Sequence, residues 1–218
     1  MTLKPLVKSL FIATTICVSS LAAAGEYLRV TVTNLTHGQI FTPILVASHS
    51  RNKQLLFKAG QPASKELAAL AEGGDTVPLA EALGAKHSVK GVADSGGPLM
   101  PGATTTITVP AHGAKRVSLA AMLIPTNDAF VSLNNVRAPL HGSITYTAVA
   151  YDAGSELNDE SCLNIPGPFC GGAGGSPDAG GEGYVHVHAG IHGIADVPAE
   201  VFDWRNPVAQ VTVKRVRY

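Results

Sequence analysis

Residues Glu26–Asn34 read Glu-Tyr-Leu-Arg-Val-Thr-Val-Thr-Asn, with Tyr27, Arg29, Thr31 and Thr33 alternating against Leu28, Val30 and Val32. A period of two sends alternate side chains to opposite faces, which only a half-buried strand satisfies. Similar short runs recur, at Gln39–Ser48, Thr104–Pro110, Arg116–Ile124, Asp128–Leu133, Ser143–Tyr151, Tyr184–His188 and Pro207–Val216, in a chain whose turns are rich in Gly and Pro. Pro43 inside the second run predicts an edge or a bulge, and the apolar end of Arg116–Ile124 predicts a central strand. Only Ser64–Leu70 and Leu79–Gly84 carry a helical pattern, with Leu67, Leu70 and Ala71 placed to seal one end of a core. Seven or eight strands and no helical layer predict an all-β fold of two packed antiparallel sheets, with one or two short helices in loops.

The N-terminus has the pattern of a secretory signal. Lys4 and Lys8 precede the apolar run Leu10–Val18, and Ala22-Ala-Ala24 offers a cleavage site before Gly25. The expected organisation is a signal peptide over 1–24 and a single domain over 25–218, exported to the periplasm or the extracellular space. The apolar run is too short to span a membrane well. Without Lys4 and Lys8, the 16 basic residues become 14 against 16 acidic, which gives no electrostatic case for nucleic acid. The one basic cluster, Lys214-Arg-Val-Arg217, reads as the polar face of a terminal strand. Cys162 and Cys170 remain after cleavage; an oxidising compartment predicts that they pair, and their spacing is not that of a Cys-x-x-Cys redox motif.

The chemistry concentrates after Tyr151. Asp152, Glu156, Asp159 and Glu160, with Asn158, fall within nine residues at a strand end. Like charges at that density repel unless a cation or a basic partner sits among them. Asp152 and Glu156 can point inward from one tight loop turned at Gly154, and hard oxygen donors in a tolerant geometry suit calcium better than magnesium. Asp159 and Glu160 are weaker candidates, as ligands or as solvated charges. The EF-hand spacing is absent, and an acidic surface loop without metal is the alternative. A second group, His186, His188 and His192, offers nitrogen donors suited to zinc or copper; His188 and His192 could equally hold a Gly-rich turn by hydrogen bonds. The stretch 171–183, rich in glycine, reads as a flexible loop. Asp203-Trp-Arg-Asn-Pro pairs Arg205 with a carboxylate and packs Trp204 at a sandwich end, or presents Trp204 to a sugar.

Several motifs together resemble the spondin N-terminal domain family, in its bacterial, exported, single-domain form. They are Tyr27-Leu-Arg-Val-Thr-Val-Thr-Asn-Leu-Thr, Gln39-Ile-Phe-Thr-Pro, Phe57-Lys-Ala-Gly, Leu123-Ile-Pro-Thr-Asn-Asp, Tyr151-Asp-Ala-Gly-Ser-Glu, Gly190-Ile-His-Gly and Asp203-Trp-Arg-Asn-Pro-Val-Ala. The resemblance implies a C2-like β-sandwich and a calcium-binding, matrix-associated module. It maps the calcium ligands onto Asp128, Asp152 and Glu156, with Glu156 standing where the family more often has Asp; Asn127 could complete the shell. The expected partner is an extracellular or envelope protein or glycan. Gly-x-Ser-x-Gly, His-Glu-x-x-His and phosphate-loop patterns are all missing, so the expectation is a binding module without catalytic activity, the alternative being a histidine-based zinc or copper protein or metal-dependent enzyme.

Overall fold

The computed structural model describes residues 25–50, 55–175 and 180–218. The expected signal peptide, 1–24, lies outside the described residues, as does part of the glycine-rich stretch. In chain order the elements are β1 (Glu26–Asn34), β2 (Ile40–Phe41), β3 (Leu45–His49), α1 (Lys65–Gly73), α2 (Val77–Gly84), β4 (Val89–Asp94), β5 (Thr104–Pro110), β6 (Arg116–Ile124), β7 (Ala129–Arg137), β8 (Ser143–Asp152), β9 (His186–Val187), α3 (Ala199–Phe202) and β10 (Ala209–Arg217). Every pairing is antiparallel, in the order β4-β3-β6-β7-β8-β10-β1-β5, with β2 on β6 and β9 on β8. The sheet folds over on itself. Its two end strands nearly meet where Gly91 of β4 leaves no room for a Cβ against the Pro110 carbonyl of β5. The expected all-β antiparallel sandwich is what forms.

β8 joins the two halves. Its first part, Ser143–Ala148, pairs with β10, and its second part, Val149–Asp152, pairs with β7. The strand thus changes sheets and delivers Asp152 at the sandwich end. The main core lies between the halves and includes Leu28, Val30, Val32, Val131, Val211 and Val213. The inward set of β1 is the one its alternation predicts. On the outer face, Thr31 meets Thr106, Thr33 meets Thr104 and Thr145 meets Thr212, each through hydroxyls 2.9 Å apart. Such cross-strand pairs each stabilise a sheet by a few tenths of a kcal/mol to about 1 kcal/mol.

The helices do more than close an end. Ser64 caps α1 by accepting from Leu67 N, and Gly74 ends it in the left-handed region at φ 68°. Leu67, Leu70 and Ala71 then cover the outer face of β3, β6 and β7, where they meet Leu45, Ala47, Ala120 and Phe130 in a second core. That explains why β3 is buried along its whole length. Other departures from the sequence pattern are local. Gln39–Ser48 splits into β2 and β3 around Pro43, β4 forms where the pattern predicts no strand, and Tyr184–His188 shrinks to the two residues of β9. Among the described residues no helix is long and apolar enough to cross a membrane.

Candidate metal centre at the loop end

Three segments build the site. The first is the turn before β7, where the Thr126 hydroxyl donates to the Leu123 carbonyl (2.6 Å) and accepts from Ala129 N (3.1 Å). This fixes Asp128 beside the end of β8, since Ala129 pairs with Asp152 and Ala153 N donates to the Asp128 carbonyl. Asp128 Oδ2 accepts from Ser155 N (2.8 Å), Ser155 Oγ (3.2 Å) and Glu156 N (3.0 Å). Its Oδ1 is buried and meets no donor among the described residues. Burial, and then the charge of Asp152, push the Asp128 carboxyl up to about 7.

The second segment is the acidic loop. Asp152, Glu156 and Asp128 are all fully buried. Asp152 Oδ1 accepts from Gly154 N (2.7 Å), and Oδ2 accepts from Asn158 Nδ2 (2.6 Å). Asn158 in turn accepts from His188 Nε2 (3.1 Å), while His188 Nδ1 accepts from Gly190 N (3.0 Å). Along this chain, Gly190, His188, Asn158 and Asp152 pass one hydrogen bond to the next. That direction requires His188 to be neutral with its proton on Nε2. Burial, with the neighbouring His186 and His192, depresses its pKa to about 4, which keeps it so.

The third segment, the loop before β9 and the first residue of that strand, supplies Glu182 and His186. One ligand atom each from Asp152, Glu182 and His186 lies within 4.8 Å of the others. His186 Nε2 is 3.6 Å from Asp152 Oδ1 and 3.6 Å from Glu182 Oε2. Its Nδ1 is 3.1 Å from the Val187 carbonyl. With Nδ1 donating there, the Nε2 lone pair faces the two carboxylates, the orientation a metal-bound imidazole normally has. Burial works against a charge on His186, but the Val187 carbonyl, Asp152 and Glu182 outweigh it and raise the pKa. The group is floored by buried Asp152 and opens to solvent through Glu182.

The remaining sequence candidates hold the loops. Asp159 accepts from Asn127 Nδ2 and Ser161 N on Oδ1, and from Asn164 Nδ2 on Oδ2. Burial opposes its charge, but these donors hold its pKa below the ordinary value. Asn127 Oδ1 accepts from Glu160 N. Glu160 Oε1 and Oε2 accept from His192 N (2.6 Å) and Ile194 N (2.8 Å). The structure therefore brings His186 to Asp152, places His188 in the hydrogen-bond chain, and leaves the His192 side chain exposed. The expected bridge forms between Cys162 and Cys170. The loop it closes is tied to this network through Asn164 and through Cys162 N, which donates to Asp196. Trp204 is buried in the core, 5.1 Å ring to ring from His188, and Arg205 pairs with Asp203.

The sequence pattern gives no sign of Glu182, because its stretch reads as flexible. In the described part, glycines there permit close approach instead. Gly183 N donates to the Gly154 carbonyl (2.8 Å), Gly180 bridges Glu156, and Gly154 sits at φ 67° against the Tyr184 backbone. A Cβ on Gly154 would collide with the Tyr184 carbonyl. Gly154→Ala is therefore expected to lower stability by about 3 kcal/mol, combining left-handed strain with a backbone clash. Comparing its thermal midpoint with that of Gly183→Ala, at φ 80° but in open space, separates the clash from the strain.

Among the described residues the metal-type cluster is unaccompanied by a complete catalytic set. His49 Nε2 lies 3.0 Å from Ser118 Oγ, but both are fully buried and Ser118 also accepts from Asn135 N, fastening the β6–β7 irregularity. The Spondin_N family model matches residues 33–156, more than half of the 218-residue chain. No curated protein matches it.

Proposed function

The chain belongs to the Spondin_N family, and from that premise we propose that it is an exported, metal-binding interaction module whose ion sits at the Asp152 end of the sandwich. The observation that carries this is the convergence of Asp152, Glu182 and an oriented His186 on one point. A donor set of two carboxylates and one imidazole suits zinc or copper, because calcium prefers oxygen alone. Water or a partner's side chain would complete the shell. The ion would tie the β8 end to the loop before β9, and these loops would present the surface an extracellular or envelope protein or glycan contacts. The Cys162–Cys170 bridge supports a periplasmic or extracellular setting.

One observation favours a second reading, calcium among Asp128, Asp152 and Glu156. Asp128 Oδ1 is a buried carboxylate oxygen with no donor, and no Lys or Arg of the described residues pairs with Asp128 or Asp152. These three residues fall inside the family match, whereas Glu182 and His186 lie beyond it. Both sites use Asp152, so variants that spare it separate them. Elemental analysis of protein purified without chelator, followed by zinc, copper and calcium titrations with thermal melting, provides the test. Ligand at about 100 times Kd stabilises the fold by about 2.7 kcal/mol. Glu182→Gln and His186→Gln are expected to remove the zinc or copper response and leave any calcium response intact. Asp128→Asn is expected to do the reverse. No stabilisation by any of the three ions would sink the proposal.

A further inference from the structure

β6 and β7 run between two ends of the sandwich, and the end far from Asp152 carries an unassigned cluster of cations. Arg116, at the start of β6, pairs in register with Arg137, at the end of β7. Directly opposed residues of an antiparallel pair project from the same face at close range, and like charges there are destabilising. Elsewhere the chain neutralises its strand-end arginines: Arg215 Nη1 lies 3.0 Å and Arg217 Nη2 3.2 Å from Glu26 Oε1. Arg215 also donates to the Pro139 and Ala114 carbonyls. This accounts for the basic cluster that stands out in the sequence. No such partner serves the other pair. Among the described residues no carboxylate lies within ion-pair distance of Lys115, Arg116 or Arg137. Arg116 has a single long contact, 3.4 Å to the Asn135 carbonyl.

These three cations converge on one hollow. A cavity of about 290 Å³ is lined by Ser50, Lys115, Arg116, Arg137, Ala138 and Leu140. We propose that it is an oxyanion site, in which the facing Arg116 and Arg137 guanidinium groups and Lys115 clamp a sulfate or phosphate group borne on a polysaccharide. Guanidinium forks match tetrahedral oxyanions and carboxylates through paired charge-assisted hydrogen bonds. An anion between them converts the like-charge repulsion into attraction. Leu140, 71% exposed, walls this hollow and a second one of about 210 Å³ beyond it, and gives the C–H faces of a sugar chain an apolar surface. β7 spans nine residues, so the site stands roughly 25 Å from Asp152 and needs no metal.

The chain contains its own control. Arg29 and Lys214 are also opposed like charges, but they stand on the exposed outer face of β1 and β10 and line neither hollow. The test titrates the full chain, treated with chelator, with dextran sulfate, uncharged dextran and inorganic sulfate. Dextran sulfate is expected to bind and dextran is not. Arg116→Gln/Arg137→Gln should weaken binding by at least about tenfold, and Arg29→Gln/Lys214→Gln should change it less than about twofold. Arg137→Gln alone, at an exposed position, serves if the double variant fails to fold. Arg137→Glu should abolish binding and raise the thermal midpoint at low salt, because it turns the repulsion into an ion pair. Equal loss in the control variant would reduce the interaction to general charge and overturn the proposal. So would wild-type protein that ignores both sulfates. A shift with inorganic sulfate and none with the polymer would overturn the polysaccharide assignment.

Discussion

Replacing Asp152 by alanine is expected to abolish stabilisation by every metal ion and to lower the thermal midpoint of the metal-free protein by roughly 10 °C. The first effect follows from position. Asp152 is the one residue common to the two proposed sites, Glu182–His186 and Asp128–Glu156. The second follows from what its two oxygens hold. Gly154 N and Asn158 Nδ2 would lose their acceptor in a buried setting, and each unsatisfied donor costs about 1–3 kcal/mol. Relief of the repulsion on Asp128 offsets part of this, leaving a net loss of about 3 kcal/mol. For a domain of this size that corresponds to roughly 10 °C. Asparagine is not a rescue. In Asp152→Asn, an amide nitrogen placed where Oδ2 stands sets N–H against the N–H of Asn158, and Asn158 cannot flip because His188 donates to its Oδ1. The opposite amide orientation sets the same conflict against Gly154 N. His188 cannot change tautomer either, since its Nδ1 accepts from Gly190 N. Thermal melts of wild type, Asp152→Ala and Asp152→Asn in chelator, then with zinc and calcium, check both effects. A variant melting with the wild type would show that Glu160 and the bridge hold the loop unaided.

The parts of this molecule that read clearly from sequence are those where local pattern and tertiary environment agree. The alternation in Glu26–Asn34 marks β1, and the apolar run after Arg116 marks a strand covered on both faces, by the main core and by α1. β4 escapes detection because Val-Lys-Gly-Val-Ala-Asp neither alternates cleanly nor packs deeply; its place is set by pairing with β3. At the loop end, charge density marks out the residues after Asp152. Which of those carboxylates face one another, and which hold backbone, depends on donors far away in the chain. Asp159 and Glu160 are as acidic as Glu156, yet they are taken up by Asn164, Ser161, His192 and Ile194. His188 resembles His186 in sequence, two residues along the same segment, but one is buried and hydrogen-bonded at both nitrogens while the other opens toward Glu182. Glycines hide Glu182 most effectively. Composition alone cannot separate a Gly-rich linker from one in which the missing Cβ lets two backbones touch.

Asp128→Asn is expected to stabilise the metal-free protein, by an amount that grows with pH. The Asp128 carboxyl titrates near 7 in the fold, against an ordinary value of 3.8. Below about pH 4 both folded and unfolded chains hold the proton, and the residue contributes no pH dependence. Between about 4 and 7 the unfolded chain has released its proton and the folded chain has not, so stability falls as pH rises. Above 7 both are ionised and the penalty is constant, on the order of 2–4 kcal/mol given 1.36 kcal/mol per unit and some relaxation of the loop. An asparagine keeps an oxygen for Ser155 N and Glu156 N and carries no charge to bury. His188 slopes the other way. Held neutral down to about 4, it withdraws stability as pH falls from 6.5 toward 4. That contribution is common to wild type and variant, so the difference between their unfolding free energies isolates Asp128. In chelator the two should coincide near pH 4 and separate by pH 8 with Asp128→Asn the more stable. An ion bound among Asp128, Asp152 and Glu156 would close or reverse the gap, because it favours the ionised carboxylate that the empty fold disfavours. A difference that stays flat with pH would mean that Asp128 is ionised throughout, and the case for a cation among these carboxylates would lose its electrostatic basis.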